Sequence, residues 1–205
     1  MPYYENIKVL FVHIPKTGGC NIEYRLKEKS KQTLRNLYSK NELLPKPYDE
    51  QSLQHQFYST LYKYKTILKI DFDNIKIFTV VRNPYDRIIS DLFYFRLIKT
   101  NDSSETVYNI IKNNYLFKNN LDNHNVPQYK FITNEKLEIY PNIKIFKTET
   151  LNYDNKIIND FLGVNINIKQ SNVNKNYSKY LNKDSIALIN DFYKKDFELF
   201  NYKLL

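Results

Sequence analysis

The sequence is poor in several features, and each shortage narrows what the protein can be. Cysteine occurs once, at Cys20, so no disulfide can form within the chain. No stretch approaches the roughly 20 consecutive apolar residues that a membrane-spanning helix needs. The first residues, MPYYENIKVLFV, contain neither a basic leader nor a small-residue cleavage site. We therefore expect a soluble, cytoplasmic protein without a membrane span.

Acidic side chains are also in the minority, with 22 Asp and Glu against 31 Lys and Arg, which gives a formal net charge of +9. This surplus favours anionic partners such as nucleic acid, a phosphorylated cofactor, an acidic glycan or a membrane surface, but charge alone does not choose among them. A chain of 205 residues is long enough to bury a sizeable core. We predict a single domain over residues 1–205.

Apolar runs alternate with amphipathic segments along the chain. The apolar runs predict three buried strands, over 7–12, 75–81 and 143–146. Helical periodicity predicts helices over 20–30, 51–69, 105–115, 154–162 and 183–200. A further helix should begin after Asn83, with Pro84 in its first turn. Strands alternating with helices indicate an α/β fold with a central, mainly parallel sheet flanked by helices.

Glycine is scarce, yet two of the 3 glycines, Gly18 and Gly19, are adjacent in HIPKTGGC at residues 13–20. This loop joins a predicted strand to a predicted helix, which is where α/β sheets bind phosphates. Glycine lacks the Cβ that would keep an anion from the backbone N–H groups, and Lys16 adds a positive charge. We predict a phosphate cradle, the alternative being a tight turn with a solvated lysine. A Walker A loop is disfavoured, because its lysine follows the last glycine.

A second stretch, VVRNPYDRIIS, follows the second predicted strand. Arg82 would leave the strand end beside the glycine loop if the two strands are neighbours, and Ser90 lies about two helical turns further on. A guanidinium and a hydroxyl suit a second phosphate. The alternative is a structural ion pair between Arg82 and Asp86 or Asp91.

HIPKTGG followed by VRNPYDRIIS resembles the two cofactor motifs of sulfotransferases that use 3′-phosphoadenosine 5′-phosphosulfate (PAPS), closest to the carbohydrate (Golgi-type) branch. Weaker similarity continues through HNVPQ at 124–128, IFKTETL at 145–151 and the terminal YKKDFELFNY. The resemblance implies a P-loop-like three-layer fold and the transfer of a sulfuryl group from PAPS to a hydroxyl acceptor, expected to be a carbohydrate. The product PAP (3′-phosphoadenosine 5′-phosphate) would remain, and no metal is implied.

The resemblance also implies a role for each motif residue. The 5′-phosphosulfate would be surrounded by the loop residues Lys16, Thr17, Gly18, Gly19 and Cys20. Arg82 and Ser90 would hold the 3′-phosphate. Lys16 would also act in catalysis by neutralising charge on the bridging oxygen as the sulfuryl group leaves. Cys20 departs from the Ser or Thr that is usual in the family, and a thiol is a weaker hydrogen-bond donor.

Transfer to an alcohol needs a general base, and histidine is the usual candidate near neutral pH. Of the 3 histidines, His13 belongs to the first motif. His55 lies off the apolar face of the helix predicted over 51–69 and between the two motifs, where the resembling enzymes commonly carry a catalytic histidine. We predict His55 as the base. His124, with Gln128, is expected to bind the acceptor and is the main rival, and Glu149 is a weaker one.

Two other functions remain open at this point. An atypical nucleotide-dependent kinase would need carboxylates and Mg²⁺, for which the sequence offers no obvious cluster. A noncatalytic nucleic-acid-binding protein would suit the charge and the 19 tyrosines, but it leaves the paired motifs unexplained.

Overall fold

The computed structural model describes residues 2–34, 41–119, 121–168 and 177–205. Its sheet contains the strands β1 (Tyr3–Tyr4), β2 (Val9–Val12), β3 (Gln32–Thr33), β4 (Lys76–Val81) and β5 (Ile143–Lys147). They lie in the order β3-β1-β2-β4-β5. The neighbours β2, β4 and β5 are parallel, whereas β1 is antiparallel to both β2 and β3. The prediction of a mainly parallel sheet therefore holds for β2, β4 and β5, and two short antiparallel strands extend the sheet beyond β2.

The helices follow the strands along the chain. They are α1 (Gly19–Lys27), α2 (Tyr58–Lys63), α3 (Lys65–Leu68), α4 (Pro84–Tyr94), α5 (Ser104–Ile110), α6 (Asn155–Leu162), α7 (Lys183–Phe192) and α8 (Lys194–Leu199). One turn of π-helix, Ile111–Tyr115, continues α5. Apart from the helix over 51–69, discussed below, the predicted segments correspond to these elements, except that the helix predicted over 183–200 is divided at Tyr193 into α7 and α8, and the first predicted strand begins at Val9.

The central strands are buried on both faces because helices cover each side of the sheet. Alternate residues of a strand point to opposite faces, so Phe11 packs with α1 and α6, while Leu10 packs with α2 and α3. A separate apolar cluster joins α4, α5, α7 and α8 beside the sheet. This arrangement leaves the carboxyl ends of β2 and β4 next to α1 and α4.

The helix predicted over 51–69 is wrong in its first part. Leu53–His55 form a single 3-10 turn, and the chain then runs extended through Gln56 and Phe57 before α2 begins. The Gln56 side chain holds this break by donating to the carbonyl oxygens of Tyr48 and Gln51, at 2.9 and 3.3 Å. His55 therefore lies on a buried turn, and the helical face on which it was predicted does not exist.

Two predicted helix ends are confirmed by their capping geometry. The Asn83 side chain accepts a hydrogen bond from the backbone N–H of Tyr85 at 3.0 Å, and Pro84 follows as the first helical residue. Gly163 ends α6 with a φ of 75°, in the left-handed region that glycine adopts most readily. Within the described residues, no helix is long and apolar enough to cross a membrane.

Candidate active site

The loop at residues 13–20 joins the carboxyl end of β2 to α1. Gly18 is the N-cap residue of α1, and its φ of 88° lies in the left-handed region that favours glycine. Thr17 is fully buried and donates its hydroxyl to the Ile14 carbonyl oxygen at 2.9 Å. In the described part of the chain, no side chain caps α1 and its first turn holds no acidic residue. The positive end of this helix is therefore suited to an anion.

A glycine is required at position 19 for a structural reason that the sequence did not reveal. A Cβ at this position would lie well inside van der Waals contact with the imidazole ring of His13. The ring is held there because its Nδ1 pairs with the Glu23 carboxylate in α1. One of the adjacent glycines thus supplies the turn, and the other makes room for a buried histidine.

Arg82 meets the glycine loop, as predicted from the two motifs. β4 lies beside β2 in parallel, with Thr79 opposite Val12, so both strands end at the same edge of the sheet. The Arg82 guanidinium is largely buried and donates from Nη1 to the Lys16 carbonyl oxygen at 3.1 Å. Ser90 lies half-buried on α4, the helix that follows Arg82.

Arg87 was not singled out from the sequence, although it belongs to the same motif. Its buried guanidinium donates to three backbone carbonyl oxygens: to Pro15 at 3.0 Å, Val126 at 2.9 Å and His124 at 2.6 Å. It therefore fastens the glycine loop to the loop that carries His124. The sequence of this motif gives no sign of these bonds, because the acceptors are main-chain oxygens of segments that are distant in the chain.

The 3 histidines of the sequence lie side by side next to the glycine loop. The His55 ring centroid is 5.3 Å from that of His13 and 5.1 Å from that of His124, both in edge-to-face contact. Each Nδ1 pairs with a carboxylate, namely Glu23 for His13, Asp122 for His55 and Asp91 for His124. We call these six residues the histidine cluster. Its carboxylates were not predicted, because two of the three pairs join distant parts of the chain.

The His55–Asp122 pair has the electrostatics of an oriented neutral base. Burial lowers the pKa of His55 to about 4, although the hydrogen bond to Asp122, at 2.7 Å, acts in the opposite direction. Burial alone would raise the pKa of Asp122, but hydrogen bonds from His55 and Ser52 outweigh it and lower that pKa. A carboxylate at Nδ1 favours the tautomer with its proton on Nδ1, which leaves Nε2 to accept a proton.

Lys16 lies at the mouth of the same loop, with a φ of 65°. Burial lowers the pKa of its ammonium, and nearby Arg82 lowers it further, while Asp91 and Cys20 act in the opposite direction. Its Nζ lies 4.2 Å from the centroid of the Tyr94 ring. A positive charge in this partly desolvated position interacts strongly with an anion.

Gln128 and Glu149 are held by contacts within the protein. Gln128 is fully buried, accepts from the Arg82 backbone N–H at 2.9 Å and donates to the Arg82 carbonyl oxygen at 2.8 Å. Asp196 accepts from the Gln128 backbone N–H at 2.8 Å. Glu149 accepts from the Asn83 backbone N–H at 2.7 Å and from the Tyr202 hydroxyl at 3.0 Å. Gln128 therefore stabilises the backbone at Arg82, and Glu149 stabilises it at Asn83, immediately before α4 begins.

The described residues contain no group of three or more His, Cys, Asp and Glu arranged to hold a metal ion. The three carboxylates of the histidine cluster are each directed to a different imidazole. The site thus consists of Lys16 and Arg82, which meet in the loop before the N-terminus of α1, and of the three histidine–carboxylate pairs of the histidine cluster.

Comparison with known proteins identifies the family. Neither a curated protein nor a solved structure matches the chain with significance. A protein-family model described as "Sulfotransferase family" matches residues 3–203, which is nearly the whole sequence. The match includes the glycine loop, Arg82 and the histidine cluster, and on this basis the chain belongs to the sulfotransferase family.

Proposed function

We propose that this protein transfers a sulfuryl group from PAPS to a hydroxyl group of a carbohydrate, as in the carbohydrate branch of the family. One observation carries the proposal: Arg82 bonds to Lys16 in the loop at the uncapped start of α1, and His13 of the same loop is in ring contact with His55, which pairs with Asp122. A sulfuryl donor with two phosphate positions needs cations, and a hydroxyl acceptor needs a base. We further propose one sulfotransferase domain of the P-loop-like type over residues 1–205.

The residues at the start of α1 fit an anionic nucleotide. The N-cap position is a glycine in the left-handed conformation, no acidic residue stands in the first turn, and the Arg82 guanidinium bonds to the Lys16 carbonyl oxygen in the loop that leads into the helix. PAPS, when bound, would supply the activated sulfuryl group. We propose that the 5′-phosphosulfate is held by the loop residues Lys16, Thr17, Gly18, Gly19 and Cys20.

Within this loop the contribution of Thr17 and Cys20 would differ. The Thr17 hydroxyl is committed to the Ile14 carbonyl oxygen, so we assign Thr17 a backbone contribution. Cys20 is exposed and lies in the first turn of α1, where its backbone N–H belongs to the anion-binding end of the helix. A weak thiol donor is therefore compatible with the proposed role.

We propose that Arg82 and Ser90 hold the 3′-phosphate. The Gln128 side chain bonds both the backbone N–H and the carbonyl oxygen of Arg82, and the Asp196 carboxylate holds the Gln128 backbone. Arg82 lies just beyond the end of β4, and these bonds fix its backbone so that the guanidinium stays at the glycine loop. We therefore propose that Gln128 serves Arg82, in place of the acceptor contact expected from the sequence.

Lys16 and His55 would act on opposite sides of the transferred group. Lys16 would place positive charge at the oxygen from which the sulfuryl group departs, where negative charge develops. His55 is neutral near pH 7 because its pKa is about 4, so Nε2 can accept the proton of the acceptor hydroxyl. Asp122 would stabilise the imidazolium as it forms. We propose that His124 contributes to the acceptor side through its contact with His55.

Membership of the sulfotransferase family favours sulfuryl transfer over the kinase and nucleic-acid alternatives. The clearest test is calorimetric titration with PAP, alongside ATP and adenosine 5′-phosphate. We expect PAP to bind tightly and the other two nucleotides to bind more weakly. Arg82→Ala should lose most of this preference for PAP, since a charged hydrogen bond to phosphate contributes roughly 2 kcal/mol. Failure to bind PAP, or a preference for ATP, would refute the proposal.

A further inference from the structure

Lys16 and His55 are joined by a column of stacked groups. The Lys16 Nζ lies 4.2 Å from the Tyr94 ring centroid. The Tyr94 ring stacks on the His124 ring at 5.4 Å with an interplanar angle of 9°. The His124 ring meets the His55 ring edge to face at 5.1 Å. Two rings, those of Tyr94 and His124, thus connect the residue proposed to stabilise the leaving group with the residue proposed as the base.

The inner part of this column is rigidly held. His124 is buried, its Nδ1 is 2.7 Å from Asp91, and the Phe95 ring lies against it with centroids 5.0 Å apart. Its carbonyl oxygen accepts from Arg87, which also holds the glycine loop. The position of His124 is therefore fixed relative to both Lys16 and His55.

The outer part of the column is different, because Tyr94 is 52% exposed. It is the last residue of α4 and contributes little to the apolar core. One face of its ring is covered by His124, and Lys16 approaches the ring as a cation. An aromatic face attracts an ammonium through its quadrupole, and it restricts a side chain that otherwise has many rotamers.

We propose that Tyr94 and His124 are positioning residues that fix the Lys16 ammonium relative to His55. The inference rests on the proposed function for its catalytic meaning, but the column itself exists without a ligand. Tyr94 sets the position of Nζ, and His124 sets the position of Tyr94. The donor and acceptor sides are thereby held in one arrangement before any substrate binds.

The first test needs neither cofactor nor acceptor. Purified wild type, Tyr94→Leu and Tyr94→Phe would be treated with trace acetic anhydride at pH 7, and acetylation of each lysine quantified by mass spectrometry. We expect faster acetylation of Lys16 in Tyr94→Leu, because the ring that covers and stabilises the ammonium is gone. Tyr94→Phe keeps an aromatic face and should restore the wild-type rate.

A matched control exists on another part of the surface. Lys65 Nζ lies 4.7 Å from the ring centroid of Tyr62, which is 46% exposed. Tyr62→Leu should raise acetylation of Lys65 and leave that of Lys16 unchanged. His124→Ala should raise acetylation of Lys16 as Tyr94→Leu does, because Tyr94 loses the ring on which it stacks.

The second test measures turnover of PAPS to PAP with water as the acceptor. We expect Tyr94→Leu to lower kcat by about two- to fivefold, the size of a partly exposed cation–π contact, with KM for PAPS unchanged. Tyr94→Phe should recover most of the loss. A structural defect would instead affect both variants or change KM.

The outcomes separate this inference from the proposed function. If PAP binds but Lys16 acetylation and kcat are the same in Tyr94→Leu as in wild type, the positioning role is refuted and the proposed function stands. If acetylation responds as expected but PAP does not bind the wild type, the column is real and the proposed function fails.

Discussion

The proposed donor side and the proposed acceptor side of the site are built in different ways. The donor side consists of the glycine loop at 13–20 and the stretch 82–90, each continuous in sequence and each following a central strand. The acceptor side takes His55 from a 3-10 turn and Asp122 and His124 from a loop. Its third element, Asp91, comes from α4. Local sequence therefore specifies each segment of the first side, which the pairing of β2 with β4 brings together, whereas long-range pairing of side chains specifies the second.

Arg87 shows how the two sides are kept together. Its guanidinium bonds the Pro15 carbonyl oxygen on the donor side and the His124 and Val126 carbonyl oxygens on the acceptor side. A planar group with several fixed donors can bond three carbonyl groups of two backbone segments at once. The comparison teaches that a residue inside a donor motif can serve mainly to place the acceptor side.

The largest effect should come from removing the base on the acceptor side. His55→Gln is expected to lower transfer by about 10²–10⁴-fold, the usual contribution of a positioned general base. PAP affinity should stay within about twofold, because the donor side is built separately. Transfer would be followed with radiolabelled PAPS and the saccharide from an acceptor panel that gives turnover with wild type. Equal losses of PAP binding and transfer would mean that the two sides are not separate.

Lys16→Met should have the next largest effect, from the donor side. We expect transfer to fall by about 10²–10³-fold, because positive charge at the departing oxygen is lost. The same radiolabel assay measures the change, and the His55 pairing with Asp122 should be unaffected, as judged by the imidazole NMR signals. Wild-type turnover in Lys16→Met would remove this residue from the mechanism.

The acceptor side should also give the protein a distinct dependence of stability on pH. The pKa of His55 falls from 6.5 in the unfolded chain to about 4 in the fold. Between these values the unfolded state binds more protons, so the free energy of unfolding should decrease as pH falls from 6.5 towards 4. The full contribution is about 3 kcal/mol. Urea unfolding of wild type and His55→Gln across this range should show a smaller decrease in the variant.

Asp196 must be considered in that experiment because its effect has the opposite sign. Burial raises the pKa of Asp196 from 3.8 to about 6. The folded state therefore binds more protons in this range, and stability should increase as pH falls from 6 towards 3.8. Both proteins in the comparison carry Asp196, so its contribution cancels. Parallel curves for wild type and His55→Gln would contradict the low pKa of His55.

The smallest effect is expected where the glycine loop meets the histidine cluster, at the contact between Gly19 and His13. Gly19→Ala should lower the free energy of unfolding by about 1–3 kcal/mol, because the added methyl group meets the His13 ring. In a His13→Ala background the same substitution should cost less. Denaturant unfolding of the four proteins in this cycle gives the coupling. An equal cost in both backgrounds would mean that Gly19 is required for another reason, such as access of an anion to the backbone.

Much of the fold followed from the sequence. The runs at 75–81 and 143–146 correspond to β4 and β5, α4 begins after Asn83 and α6 ends at Gly163 as expected, because these signals depend on neighbours in the chain. The prediction of a helix over 51–69 failed in its first part because the Gln56 side chain bonds to the backbone oxygens of Tyr48 and Gln51, shortly before it in the chain, and so stabilises a turn. Periodicity alone could not register those contacts.

The sequence by itself determined each segment of the proposed donor side, since in the first of them a strand, a lysine, a glycine turn and the helix start are consecutive, and their geometry follows from local backbone preferences. It also determined the family, through the same motifs. Only the tertiary structure decided that the 3 histidines are neighbours and that each has its own carboxylate. Such pairs form because a buried imidazole or carboxylate must find a polar partner, and the fold alone sets which partner comes within reach.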